Sequence, residues 1–185
     1  KREEYFRIIS EAGEHIESLV MEFLEYSCQA NNKIKLNLEY TDLPELIDKL
    51  VQRHRIQAAE KKLTIRSEHY PMKSIKADSK QLQRVFENLL DNAIKFAHQA
   101  GEIVLSIKET EKEVIVQVKG CGSGIAVDEL PFIFDAFHQH KSSRAGHGLG
   151  LAAVRAIVQE HGGRVAVKNS PEQGAIFTVR LPNVG

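Results

Sequence analysis

The stretch Asn88-Leu-Leu-Asp-Asn92-Ala-Ile-Lys95-Phe96 decides the reading of this chain. Two glycine-rich blocks follow it in order, Gly122-Ser-Gly124-Ile125 and Gly146-His-Gly148-Leu149-Gly150-Leu-Ala152. Asn88, Asn92 and Lys95 are spaced i, i+4 and i+7, so on a helix they share one stripe. Leu82, Phe86, Leu89, Leu90 and Ala93 would form the neighbouring core face. Asn is a poor helix former, and two on one stripe need a reason. An amide oxygen is a hard, neutral ligand that suits Mg²⁺, which keeps several waters and shares phosphate oxygens. Lys95 on the same stripe would serve those phosphates.

The glycines fit the same chemistry. Gly122 and Gly124 follow a predicted strand ending near Val118, where they let the backbone turn sharply and approach a flat ligand. Gly146, Gly148 and Gly150 precede a helix predicted to start near Leu149. The free N–H groups and positive dipole end of a helix start favour phosphate. Each block alone is weak, but the ordered trio implies one nucleotide pocket. Between the glycine blocks, residues 120–148 read as a long loop, and a loop of that length in a compact domain is functional or mobile. It is expected to act as a lid over the nucleotide, mobile across 138–147. Leu130-Pro-Phe-Ile-Phe-Asp-Ala-Phe137 would anchor it, and Lys141 and Arg144 are candidate phosphate contacts.

Working outward, Asp78 with Gln81 makes a capping-box signature for a helix over 79–98. Lys35–Tyr40 alternates like a strand. Asp42 can cap a helix from Leu43 to Lys61, with Pro44 tolerated in its first turn. Leu63–Glu68 and a short segment near Ile75 read as strands. Ile103/Leu105/Ile107 and Val114/Val116/Val118 alternate around Glu111-Lys112 as a hairpin. Gly162-Gly163 stops the helix from Leu149, and Arg164–Lys168 with Ala175–Leu181 closes a second hairpin. The expected fold class is α+β, a two-layer α/β sandwich with a largely antiparallel sheet and helices on one face.

Residues 1–30 read as one long helix. Ile9, Ala12, Ile16, Leu19, Phe23 and Tyr26 alternate three and four apart, the seam spacing of a bundle. Such a stripe must pack on another helix. Gln29-Ala-Asn-Asn-Lys33 breaks the pattern as a hinge. The domain division is therefore an incomplete helical-bundle unit over 1–31 and an α/β domain over 32–185.

The bulk numbers exclude other classes. Lys+Arg and Asp+Glu are 25 each among 185 residues, so no global field favours nucleic acid or acidic membrane. No apolar run is long enough to span a bilayer. Cys28 and Cys121 lack metal-like spacing and read as small buried residues of a reducing, cytoplasmic setting.

These blocks resemble the catalytic, ATP-binding domain of sensor histidine kinases, in the GHKL superfamily with its Bergerat fold. Glu87-Asn-Leu-Leu-Asp-Asn-Ala-Ile-Lys-Phe96 resembles the N box, Gly122–Ile125 the end of the first glycine box, Phe132–Phe137 the F box, and Gly146–Ala152 the second glycine box. Residues 1–30 and Glu39-Tyr-Thr-Asp-Leu-Pro-Glu-Leu46 resemble the second helix of the dimerisation and phosphotransfer domain leading into the kinase domain. The resemblance implies ATP and Mg²⁺ as cofactors. It implies Asn92 as main Mg²⁺ ligand, Asn88 supporting metal and phosphates, Lys95 on the phosphates, and Phe96 near adenine or ribose. It also implies a response regulator receiver domain as partner and a homodimer through the stalk.

Two departures stand out. None of the eight histidines is followed by Asp or Glu, so no phosphoacceptor motif is present. The family pattern Asp-x-Gly-x-Gly reads here as Gly120-Cys121-Gly122-Ser123-Gly124, so the carboxylate that accepts from the adenine amino group is replaced by Gly120. Losing a charge-assisted hydrogen bond in a buried pocket costs about 1.5–3 kcal/mol, roughly 10–150-fold in affinity. The expectation is thus a histidine-kinase catalytic core with impaired ATP binding. The alternative is a non-catalytic dimerisation or regulatory module, degenerate or engineered. A serine kinase of the same superfamily is a third reading, disfavoured by the stalk.

Overall fold

The computed structural model describes residues 35–138, 148–170 and 174–183. The expected stalk helix, its hinge and the domain boundary at residue 31 lie outside the described residues. In chain order the elements are β1 (Glu39–Thr41), α1 (Leu43–Glu60), β2 (Thr64–Glu68), β3 (Ile75–Ala77), α2 (Ser79–Phe96), β4 (Glu102–Glu109), β5 (Glu113–Lys119), α3 (Gly150–Glu160), β6 (Arg164–Asn169) and β7 (Ala175–Pro182). Five strands form one sheet in the order β2-β4-β5-β7-β6, and β1 pairs with β3 in a separate two-stranded ribbon. The β2–β4 ladder is parallel; the other three ladders of the large sheet are antiparallel. The α+β sandwich is as expected.

Alternation sets the layers. Ile103, Leu105, Ile107, Val114, Val116, Val118, Phe177, Val179 and Leu181 are buried on one sheet face, while their neighbours along each strand are more exposed. Against that face pack Leu43, Ile47, Leu50 and Ala58 of α1, and Val154, Ile157 and Val158 of α3. From α2 the buried residues are Leu82, Val85, Phe86, Leu89, Leu90 and Ile94. Ala93, expected in the core face, is only half-buried. Ile94 takes its place, and Ala93 instead faces Gly120, where an added Cβ would lie 3.8 Å from the Ala93 Cβ.

The helix starts follow their caps. Asp42 accepts from the Glu45 N–H at 2.9 Å, and Asp78 from the Gln81 N–H at 3.0 Å. The reciprocal half of the second capping box is not made: the buried Gln81 Oε1 has no hydrogen-bond partner among the described residues. Asp78 does more than cap. Its Oδ2 accepts from the Asn37 N–H at 2.9 Å, and its own N–H donates to His161 Nε2 at 3.0 Å. The segment before β1 and the end of α3 are thereby tied to the start of α2.

Two boundaries differ from the sequence reading by more than one residue. The first strand spans Glu39–Thr41 rather than Lys35–Tyr40, because its partner β3 offers three residues, with Glu39 opposite Ala77 and Thr41 opposite Ile75. Helix α2 ends at Phe96 rather than 98, because Ala97 turns extended and bridges Gly122. Elsewhere, Gly162 has φ +70° and the Gly163 N–H donates to the Val158 carbonyl, closing α3 as the Gly-Gly pair predicts.

Candidate nucleotide site

Three separate parts of the sequence converge at the end of α2. The first contact joins α2 to α3. A Cβ on Gly150 would lie 2.5 Å from Asn88 Oδ1, so the Asn88 amide sits directly against the first residue of α3. Its Nδ2 donates to the Arg84 carbonyl at 2.9 Å, which fixes the amide and turns the oxygen away from its own helix turn. Asn92 is half-buried one turn later. Gly148, just before α3, has φ +74°, and a Cβ there would lie 2.5 Å from the His138 carbonyl oxygen. Only glycine satisfies both demands. The Phe137 N–H donates to the Gly148 carbonyl at 3.0 Å, closing the base of the long loop.

The second contact joins α2 to the first glycine block. A Cβ on Gly122 would lie 2.1 Å from the Phe96 carbonyl oxygen, and the His98 N–H donates to the Cys121 carbonyl at 3.3 Å. Lys61 reaches across from the end of α1 and donates to the carbonyls of Ile94 and Lys95 at 2.9 and 3.0 Å. A cation on the terminal carbonyls of α2 complements the helix dipole. The segment carrying Lys95 and Phe96 is thus held from two sides. Lys95 Nζ stands 4.8 Å from the centroid of the Phe96 ring, which is 43% exposed. Desolvation holds the Lys95 ammonium below the ordinary lysine value.

Gly124 has φ +80°, and Ile125 beside it is held by Asn169 at the end of β6. Sequence reasoning missed Asn169. It lies 44 residues away, and nothing in its local pattern marks it. Gly120 differs from its neighbours. It lies outside the positive-φ set, and a Cβ there would meet only Ala175 O at 3.7 Å and Ala93 at 3.8–3.9 Å. Neither backbone conformation nor space demands glycine at this position. A Cβ at 120 would face α2 at Ala93.

The expected loop anchor is present. Ile133 and Phe134 are buried, and the Phe134 ring meets Phe177 edge-on at 6.3 Å. Phe132 and Phe137 are exposed. Lys141, Arg144 and Gly146 lie outside the described residues, as does Cys28. Cys121 is half-buried rather than buried, and desolvation pushes its thiol up. A concavity of about 500 Å³ lies on the other, open sheet face, lined in part by Arg66, Glu102, Gln117 and Lys119. His98, Gly120 and Cys121 also line it, so it borders the first glycine block, while Arg66 there pairs with Glu68 and Glu102. Among the described residues no cluster of His, Cys, Asp and Glu could hold a metal, so a cation at this site would depend on amide oxygens and phosphate. The amides of Asn88 and Asn92, a partly desolvated Lys95 and a glycine-lined helix start fit that donor set. No helix of the described residues is long and apolar enough to cross a membrane.

Comparison with known proteins bears on the family and the fold. Residues 77–185 match the family described as histidine kinase-, DNA gyrase B-, and HSP90-like ATPase. Sensor protein SrrB of Staphylococcus aureus is 30% identical over 183 residues, covering 97% of this chain but 31% of SrrB. Full-length ShkA, solved in complex with AMPPNP, superposes with a TM-score of 0.85 at 32% identity, over 93% of this chain and 36% of ShkA. The histidine kinase AdeS of Acinetobacter baumannii gives 0.79 at 25% identity, over 97% of this chain and 84% of AdeS. ThkA, solved in complex with the response regulator protein TrrA, gives 0.78 at 27% identity, over 97% of this chain and 51% of ThkA. The chain spans about a third of the SrrB and ShkA lengths. With the family match, the relatives and the fold in agreement, the chain belongs to the histidine kinase-, DNA gyrase B- and HSP90-like ATPase family, as the catalytic ATP-binding domain of a sensor histidine kinase.

Proposed function

We propose that this domain binds Mg·ATP at the junction of α2, the first glycine block and the start of α3, and passes the γ-phosphoryl to a histidine supplied by another segment or chain. The reading rests chiefly on the contact between Asn88 and Gly150, which brings the asparagine stripe against a glycine-opened helix start. Asn92 is assigned as main Mg²⁺ ligand, with Asn88 supporting metal and phosphates and Lys95 on phosphate oxygens. Bound Mg²⁺ would neutralise charge between the phosphates. The domain's own task is positioning. It aligns the phosphate chain so that the bond from the γ-phosphorus to the ADP oxygen breaks as a bond to the acceptor imidazole nitrogen forms. Gly146 and Gly148–Gly150 would bring backbone N–H groups to phosphate, with Lys141 and Arg144 adding charge. Gly122, Gly124 and Ile125 would line the base and ribose end beside Phe96. Residues 1–31 would form the dimerisation helix, and a response regulator receiver domain would take the phosphoryl group onward.

Gly120 favours a second reading, a regulatory module without useful turnover. The carboxylate that would read adenine is missing, and a Cβ at this position would make only ordinary contacts, the nearest at 3.7 Å. Mg·ATP titration followed by amide chemical shifts decides between them, together with transfer to a separately supplied dimerisation domain. Saturable shifts at residues 88–96 and 148–152 that vanish in Asn92→Ala, with transfer to the acceptor, support the kinase reading. Saturable shifts without transfer support the module, and no shifts at millimolar nucleotide reject the kinase reading and the site assignment that goes with it.

A further inference from the structure

We propose that Asn169 is a positioning residue for the first glycine block, and that it sets the nucleotide-competent shape of the Gly122–Ile125 turn. Both arms of its amide engage a single residue. The Ile125 N–H donates to Asn169 Oδ1 at 2.9 Å, and Asn169 Nδ2 donates to the Ile125 carbonyl at 2.7 Å. This pairing imitates a β-ladder register with a side chain. It also fixes which end of the amide is oxygen, since the reverse orientation would set two donors and two acceptors face to face.

The same turn is held from the β6–β7 connection. Gly174 has φ +91°, and a Cβ there would lie 2.1 Å from the Gly120 carbonyl oxygen. The Gly120 N–H donates to the Ala175 carbonyl at 2.9 Å, and the Ser170 N–H to the Gly174 carbonyl at 2.8 Å. A Cβ on Gly124 would come within 2.9 Å of Asn169 Oδ1, so glycine at 124 is what allows the amide to approach. Asn169 therefore explains part of the glycine requirement of the block itself.

Asn169 is exposed at a strand end, so its replacement leaves the core intact. The consequence for nucleotide rests on the function proposed above, whereas the clamp does not, and two measurements keep them apart. Amide hydrogen exchange reads the clamp. In Asn169→Ala the Ile125 amide should exchange about tenfold faster or more, while core amides of β5 and β7 keep their protection, as expected for loss of a local hydrogen bond. Unchanged exchange at Ile125 overturns the proposal, with or without nucleotide. Mg·ATP titration of Gly120→Asp and of Gly120→Asp/Asn169→Ala reads the consequence. Affinity should fall about tenfold in the double variant. Equal affinity alongside fast Ile125 exchange also overturns the positioning role. Absence of binding in both, with fast Ile125 exchange in Asn169→Ala, upholds the clamp and rejects the nucleotide site. Asn169→Asp keeps the acceptor but sets a carboxylate oxygen against the Ile125 carbonyl. It should resemble Asn169→Ala, and wild-type exchange in it would overturn the two-armed geometry.

Discussion

Asn88 and Gly150 touch so closely that no side chain fits between them: a Cβ on Gly150 would stand 2.5 Å from Asn88 Oδ1. Gly150→Ala separates stability from function by sign. Alanine favours the helix by up to about 1 kcal/mol over glycine, so thermal stability should hold or rise. The new methyl must push the Asn88 amide off its bond to the Arg84 carbonyl, away from the proposed metal and phosphate position. Mg·ATP affinity should fall at least about tenfold, as for a lost charge-assisted contact. Calorimetric titration beside a melting curve checks it. Affinity unchanged within a factor of two or three would show that the Asn88 amide does not meet the ligand.

Gly122→Ala should do the opposite and damage the fold. Its Cβ would lie 2.1 Å from the Phe96 carbonyl oxygen, a backbone atom that cannot swing aside. Relief requires breaking the Ala97–Gly122 bridge that ends α2. Overpacking of this kind costs at least about 1–3 kcal/mol. Denaturant unfolding should show the loss as a lower midpoint. A wild-type midpoint would mean that the bridge is not a fixed feature of the domain.

The same residues show how far the sequence could be read. Asp42 and Asp78 announce helix starts because a cap is a local device, decided within three residues. The asparagine stripe and the glycine blocks stand out by residue type and spacing, and the fold does set Asn88 against Gly150 and Gly122 against Phe96. What escaped was set by pairing at a distance. Lys35–Tyr40 alternates well beyond the three residues that β3 can match. Ala93 has a core-like position and size, yet Ile94 fills the interior better. Asn169 acts only because a hairpin folds back beside a turn 44 residues earlier. No period or motif marks such a meeting.

Asp48 gives the domain an acid-sensitive tie between α1 and β2. Burial pushes its carboxyl up, but the Ser67 hydroxyl at 2.6 Å, His69 and Arg55 together hold it below the usual carboxylate value of 3.8. A folded-state value below the unfolded one adds stability above the unfolded value. That contribution is lost as pH falls through the lower, folded value. Asp48→Asn should therefore flatten the acid limb of the melting-temperature profile between about pH 5 and pH 2. Because Asp48 is half-exposed, the change should be modest, and Ser67→Ala should reproduce part of it. A steeper acid limb in Asp48→Asn would reverse the sign and refute the tie.

Gly120→Asp is the decisive substitution for the base end of the site. The position is free of the usual reasons for glycine, since its φ is not positive and a Cβ would find only ordinary contacts at 3.7–3.9 Å. The fold should accept the change, with a melting temperature close to wild type. The new carboxylate would project toward α2 near Ala93, one residue from Asn92, where an adenine amino group could donate to it. A charge-assisted bond in a desolvated pocket is worth about 1.5–3 kcal/mol, so ATP affinity should rise roughly 10–150-fold. Discrimination should rise with it, because GTP carries a carbonyl where ATP carries the amino group and would face the carboxylate acceptor to acceptor. Parallel ATP and GTP titrations of both proteins test the two effects separately. A gain for ATP under about threefold would show that residue 120 does not read the base. Equal gains for both nucleotides would point to a general effect on the turn instead.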